Sequence, residues 1–335
     1  MSRVALIGAG SWGTALSIIA GRAGHDVRLW SRNIDVVEQV NSEHVNRVYL
    51  AEHSVPENVC ATNDLEEALS AAEIVLLASP SHATRTLLEK MFPLLEPEML
   101  FVSATKGVEI ETGKRISQVL VDVIAEKFPP RFVCLSGPSF AGEVAAGQPT
   151  AVVAAGENPD DTRRVQKLLS FENLRLYTNS DLVGTELGGA TKNVMAISAG
   201  MVAGLGFGSN SIAALITRGL AEMTRLAVSQ GARVETMMGL AGLGDLVLTC
   251  TGSLSRNRFV GQELGRGRKI EDILGGMREV AEGVKTTKAV KRLAEECSVE
   301  MPITEEVNAV IYEGKSARDA ARELMTRPLR VEFES

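Results

Sequence analysis

Residues 3–33 read RVALIGAGSWGTALSIIAGRAGHDVRLWSRN, from Arg3 to Asn33. Val4, Ala5, Leu6 and Ile7 form a short apolar run of the kind that makes a strand buried on both faces. Gly8-Ala9-Gly10-Ser11-Trp12-Gly13 follows at once. A helical pattern comes next, with Leu16, Ile19, Ala20 and Ala23 on one face. Gly24 ends it, and His25-Asp26-Val27-Arg28-Leu29-Trp30 reads as a second strand. Strand, glycine-rich turn, helix and strand together make a dinucleotide-binding unit. Gly8 permits the tight turn, Gly10 lets the backbone approach a pyrophosphate, and Gly13 lets helix and strand pack closely. The helix N-terminus adds free N–H groups and the positive end of a dipole. The turn alone would be a weak signal; the elements around it carry the reading.

The end of the second strand bears on the cofactor. An NAD-binding unit usually places Asp or Glu there, bonded to the ribose 2′-hydroxyl. This chain has Ser31-Arg32. A hydroxyl and a guanidinium suit a 2′-phosphate, which predicts NADP(H) as the preferred cofactor with NAD(H) still admissible. The alternative is a solvated surface arginine.

Composition sets outer bounds. The chain has 335 residues, enough for a large core and naturally for two domains. Its formal net charge is −7, with no long basic run, which argues against nucleic acid as a principal partner. Cys60, Cys134, Cys250 and Cys297 are far apart, and His25, His44, His53 and His82 are equally scattered, so no metal-ligand set is expected. Reduced thiols in a cytoplasmic protein are the simplest account. Arg3 and the apolar residues after it mimic a signal peptide, but the early glycines fit a nucleotide turn better. No apolar run reaches the roughly 18 residues of a membrane span.

The rest of the first half alternates. Residues 33–41 are helical in pattern, and 43–58 are polar and irregular, with Tyr49 and Leu50 as wall residues near the cofactor. Residues 59–62 form a short strand, and Asp64 caps a helix through Leu69. Residues 73–78 are a strand, and Ser79-Pro80-Ser81 opens the next helix. A strand at 99–103 ends in Ala104-Thr105-Lys106-Gly107. A helix at 116–124 precedes a strand at 131–135, which runs into Ser136-Gly137-Pro138-Ser139-Phe140-Ala141. A strand at 150–154, a helix at 160–169 and a strand at 174–177 complete this part. Such alternation predicts a doubly wound, mostly parallel α/β sheet covered on both faces. Ligands then sit beyond the carboxyl ends of the strands, where Lys106 and Ser139 fall.

The texture changes near Ser180. Helices are expected over 181–203, 209–230, 242–250, 255–264, 286–297, 303–313 and 317–324, with no convincing strand. The chain therefore divides into a dinucleotide-binding domain, 1–180, and an all-α domain, 181–335. The long helices offer a surface for a homodimer.

Several constellations could carry chemistry. Lys192 has Gly188, Gly189, Met195 and Ala196 as its helical neighbours, none of them acidic. If that face is buried, desolvation lowers its pKa and fits it for proton exchange near neutrality. If not, its stem covers apolar surface while its head reaches water. Ser253-Leu254-Ser255-Arg256-Asn257-Arg258 reads either as an anion site at a helix start or as a capped helix with surface arginines. Asp245, in Gly242-Leu243-Gly244-Asp245, and Glu282, in Val280-Ala281-Glu282-Gly283, are each either a cap or a ligand contact. Gly265-Arg266-Gly267-Arg268 reads as a mobile basic loop.

Taken together, GAGSWGTA, SATKGVE, LSGPSFAGEV, ATKNVMAISAG, GLAGLGDLVLTC, SRNRF and VAEGV resemble the bacterial NAD(P)-dependent glycerol-3-phosphate dehydrogenase family, in order from Gly8 to Val284. The resemblance implies a Rossmann-type domain followed by a helical domain, and reduction of dihydroxyacetone phosphate to sn-glycerol 3-phosphate for phospholipid synthesis. It implies that Lys192 transfers the proton and that Lys106 contacts both cofactor and substrate. Gly137, Ser139, Asp245, Ser255, Arg256 and Asn257 would line the substrate site. Ser11, Trp12, Arg32, Ala141, Arg256, Val280 and Glu282 would contact the cofactor. Two rivals stand beside it: a β-hydroxyacid dehydrogenase, which needs a carboxylate site instead of a phosphate site, and a non-catalytic NADP-sensing module.

Overall fold

The computed structural model describes residues 1–277, 281–329 and 331–332. Its strands are β1 Arg3–Ile7, β2 Asp26–Trp30, β3 Val45–Asn46, β4 Leu50–Ser54, β5 Val59–Thr62, β6 Ile74–Leu77, β7 Leu100–Ser103, β8 Arg131–Ser136, β9 Thr150–Ala155 and β10 Leu174–Asn179. Eight of them form one sheet in the order β10-β9-β8-β7-β6-β1-β2-β5. From β5 to β8 every pairing is parallel. The central strands β1, β6 and β7 are apolar almost throughout because both faces are covered. In β1 the pleat sends Val4 and Leu6 into one core cluster and Ala5 and Ile7 into the other. The Ser11–Arg22 helix packs on the first face, buried from Gly13 to Gly21.

Two departures from the sequence reading have local causes. Residues 43–58 are not irregular: β3 and β4 pair antiparallel as a small separate ribbon. Asn46 fixes it by donating from Nδ2 to the Ala9 carbonyl at 2.9 Å, a buried contact that polarity alone hides. The far edge of the sheet is also reversed. β9 pairs antiparallel with β8, and β10 runs parallel to β9. The chain therefore leaves the sheet on the amino-end side of β8. The Leu182–Gly204 helix, capped by Asp181, then climbs back along β8. Glu186 comes within electrostatic reach of Cys134. Gly189 follows, where an added Cβ would lie 2.8 Å from Ser136 Oγ.

That helix is buried continuously from Gly184 to Met201 and is the axis of the helical part. Around it stand helices Ser209–Ser229, Asp245–Thr251, Arg256–Gly265, Glu282–Glu296, Pro302–Tyr312 and Ala317–Thr326. Its crossing with Arg256–Gly265 is glycine on glycine. A Cβ at Gly200 would lie 2.1 Å from the Arg258 carbonyl oxygen, and one at Gly204 2.2 Å from that of Gln262. Reciprocally, a Cβ at Gly261 would lie 1.9 Å from the Ile197 oxygen and one at Gly265 2.4 Å from that of Met201. Backbone meets backbone, which fixes where the second helix begins. Arg266 and Arg268 both donate to the Glu263 carboxylate, at 2.6 and 2.8 Å.

Candidate active site

Strand order reverses between β1 and β6, and sheets of this kind take ligands in the crevice beyond the carboxyl ends at such a point. Gly8 turns the chain with φ +117°, and a Cβ would lie 2.9 Å from the Ala78 carbonyl oxygen beyond β6. At Gly13 a Cβ would lie 1.8 Å from the Gly8 oxygen, so helix and turn touch. Gly10 differs: a Cβ there would meet nothing within 4 Å. The turn is open on that side, and no side chain caps the helix that starts at Ser11. Open space beside a helix start that no side chain caps fits a pyrophosphate. Ser11 Oγ donates to the Tyr49 carbonyl at 3.1 Å, tying the turn to the β3–β4 ribbon. Trp12 and Tyr49 are partly buried against the same core cluster. Arg32 is exposed past the end of β2.

At the other end of the crevice three charged groups meet. Lys106, in the loop after β7, donates from Nζ to Asp245 Oδ2 at 2.8 Å and to the Gly137 carbonyl at 2.9 Å, with Ser139 Oγ at 3.4 Å. Lys192 Nζ donates to Asp245 Oδ1 and, at 3.0 Å, to Thr249 Oγ1. One carboxylate thus holds two ammonium groups, one from each part of the chain. Asp245 does not cap its helix. Gly244 before it is already helical, at the end of a widened turn over Leu240–Gly244, so the carboxylate is turned inward. Burial pushes the Asp245 carboxyl up, but Lys106 and Lys192 outweigh it and hold it below the usual range. Burial drives Lys192 down to about 7, against the opposing pull of Asp245 and with help from Lys106. Lys192 is 5% exposed, and its head is held by Asp245 and Thr249.

Ser255 caps its helix, accepting from the Arg258 N–H at 3.2 Å. Asn257 donates to Asn193 Oδ1 at 3.0 Å and accepts from the Gly283 N–H at 3.0 Å, which ties three helices together beside Lys192. Glu282 starts its helix, but its carboxylate reaches outward to accept from the Ser81 N–H at 3.3 Å. Exposed Arg256 lies within electrostatic reach of it. Ala141 begins the short Ala141–Ala145 helix after the Gly137–Ser139 turn. Val280 lies outside the described residues.

Lys106, Gly137, Ser139, Lys192 and Asp245 are thus joined by direct hydrogen bonds, while Arg32 stands apart at the far end of the crevice. The sequence reading missed Thr249. The signal was available: four residues after Asp245 on one helix, it shares that face. Cys250 next to it is no nucleophile, since burial pushes its thiol up to about 12.

A dinucleotide crevice facing a lysine of near-neutral pKa, itself held by a carboxylate, defines an NAD(P)-linked dehydrogenase. Models of the NAD-dependent glycerol-3-phosphate dehydrogenase N-terminus and C-terminus match residues 3–162 and 181–322, and the chain belongs to that family. It is 56% identical over 330 residues to glycerol-3-phosphate dehydrogenase [NAD(P)+] of Koribacter versatilis, covering 98% of each chain. It is 51% identical over 330 residues to the Geobacter sulfurreducens protein of the same name, again covering 98% of each. The crystal structure of glycerol-3-phosphate dehydrogenase from Coxiella burnetii superposes with a TM-score of 0.94 at 39% identity, covering 97% of this chain and 99% of that one.

Proposed function

We propose that the Lys192–Asp245–Lys106 cluster carries the reversible NAD(P)H-dependent reduction of dihydroxyacetone phosphate to sn-glycerol 3-phosphate, the step that supplies the glycerophospholipid backbone. The observation behind this is the buried lysine of near-neutral pKa at the carboxyl edge of the sheet. The bound nicotinamide supplies the hydride. Lys192 Nζ donates a proton to the carbonyl oxygen as negative charge grows there. Lys106 stabilises the same oxygen by charge. Asp245 stays ionised, holds both ammonium groups in place and takes no proton. In the reverse direction neutral Lys192 accepts the hydroxyl proton. The test is NADPH oxidation followed by absorbance, with dihydroxyacetone phosphate beside a β-keto acid of similar size. Turnover of the keto acid alone would make the chain a β-hydroxyacid dehydrogenase, and turnover of neither would leave only cofactor sensing.

NADP(H) is the preferred cofactor in this proposal, with Arg32 on the 2′-phosphate. The end of β2 supports this: Ser31-Arg32 stands where an NAD-binding unit usually carries an acidic residue, and Arg32 is exposed there. Arg32→Ala should raise the Michaelis constant for NADPH and spare that for NADH. Equal losses for both cofactors would make Arg32 a structural residue.

The substrate phosphate is assigned to the start of the Arg256–Gly265 helix, with Arg256 as its charged contact and Ser255 and Asn257 beside it. Arg256→Ala removes a charge-assisted hydrogen bond worth about 1.5–3 kcal/mol, so dihydroxyacetone phosphate should bind roughly ten- to a hundred-fold more weakly. Unchanged affinity for dihydroxyacetone phosphate would move the phosphate elsewhere.

A further inference from the structure

Lys106 and Lys192 come from different parts of the chain, yet they must share one carboxylate. The loop that carries Lys106 leaves β7 and ends at Arg115, immediately before the Ile116–Ile124 helix. The helix that carries Lys192 passes close to that end. Six residues before Lys192, Glu186 accepts from the Ser117 N–H at 2.8 Å, from Ser117 Oγ at 2.6 Å and from Arg115 Nη1 at 2.7 Å. The Glu186 side chain is 4% exposed and that of Arg115 14%. The carboxylate sits at a helix N-terminus, where free N–H groups and the dipole favour an anion.

We infer that Glu186 is a positioning residue for the reaction: it fastens the end of the Lys106 loop to the Lys192 helix and so sets the spacing of the two ammonium groups. Two further observations support this. The middle of the loop is also held from the helical side, because Val108 is buried with Ala190 and Ala289 and Arg292 donates to the Ile110 carbonyl at 3.0 Å. The helix has no sideways slack between Glu186 and Lys192. A Cβ at Gly188 would lie 2.5 Å from the Ala241 oxygen, and one at Gly189 would crowd Ser136. Six helical residues span only about 9 Å, so the Glu186 anchor and the glycine contacts together fix where Lys192 stands. A buried ion pair gains little stability over an apolar contact of the same shape, which leaves geometry as the reason for a charged one here.

This inference rests on Lys192 and Lys106 being the reacting groups, so Lys192→Met is measured in parallel. Glu186→Gln keeps the shape and can still accept from the Ser117 N–H. Its amide nitrogen cannot accept from Arg115 or from the Ser117 hydroxyl. Turnover should fall about tenfold or more, as expected for displacement of reacting groups by part of an ångström. The apparent pKa of the turnover–pH profile should move, because burial depresses the pKa of Lys192 while Asp245 raises it and Lys106 lowers it according to their distance, with Cys250 and Glu282 the further titratable groups within reach. NADPH affinity should stay within about twofold, since the pyrophosphate turn is untouched. A lower melting temperature with wild-type turnover and an unmoved pH profile would overturn the inference and leave Glu186 a purely stabilising residue. If Glu186→Gln does not fold, Ser117→Ala removes a single donor and should give the same displaced profile with a smaller loss; a wild-type profile there overturns the inference equally. Retained turnover in Lys192→Met would instead overturn the underlying assignment of Lys192.

Discussion

Lys192→Met is expected to lose at least about a hundred-fold in turnover, the lower end for removal of a general acid or base. Methionine keeps the stem that fills the buried helix face and removes only the ammonium. Asp245 keeps Lys106 and Thr249 as partners, so no carboxylate is left alone in the core. NADPH affinity should persist, because the glycine turn is remote from the substitution. The wild-type pH dependence follows from the depressed pKa. Reduction needs protonated Lys192 and should decline as pH rises through about 7; oxidation needs the neutral amine and should rise through the same range. Stability has its own sign. Between about 7 and the ordinary lysine value of 10.5 the unfolded chain binds a proton that the folded chain lacks, so wild-type stability rises with pH across that window. Lys192→Met should lack that slope, and its melting temperature should compare best with wild type below pH 7. Near-normal turnover would make Lys192 a packing residue and shift the acid to Lys106.

Gly261→Ala is expected to destabilise the chain by about 3 kcal/mol, the upper end for overpacking, with a melting temperature lower by roughly 4 °C for a chain of this length. The added methyl has no room: it would sit 1.9 Å from the Ile197 carbonyl oxygen, which belongs to the central helix and cannot swing away. The two helices must separate, and Ser255, Arg256 and Asn257 move with the second one. The Michaelis constant for dihydroxyacetone phosphate should therefore rise as well. Gly275→Ala is the control, because a Cβ there meets nothing within 4 Å and the backbone is helical. Equal melting curves for the two variants would show that the crossing can relax.

The sequence was most informative where local pattern and chemistry coincide. The run from Arg3 to Asn33 specified its strands and helix almost to the residue, because a fully buried parallel strand and a glycine turn leave few alternatives. The long helix was equally legible, expected over 181–203 up to the glycines that follow and found over Leu182–Gly204. Reversal of β9 was not legible, since apolar strands read the same in either direction. The β3–β4 ribbon was hidden because its anchor, Asn46, is polar and its partners lie far away in sequence. At the site, Lys192 stood out by having no partner on its own helix, but the sequence could not decide whether it was buried. That depended on Asp245, 53 residues away, and on an irregular turn that rotates the carboxylate inward. Glu186 gave no signal at all, because a glutamate on an apolar helix declares nothing until its three donors are seen.

The backward run of β9 and β10 makes the chain a measuring device. Because the chain leaves the sheet on the amino-end side of β8, the helix from Asp181 must climb before Lys192 reaches the reacting edge, and its length is the gauge. Each residue advances the helix by about 1.5 Å and turns it by about 100°. Deleting one residue between Asp181 and Lys192 would point the ammonium away from Asp245, and no neighbouring segment could correct it, since glycines at 188 and 189 lock the helix against its surroundings. Length variation in this family should therefore fall in the turns and be absent from these eleven steps of helix, whatever else about the sequence drifts.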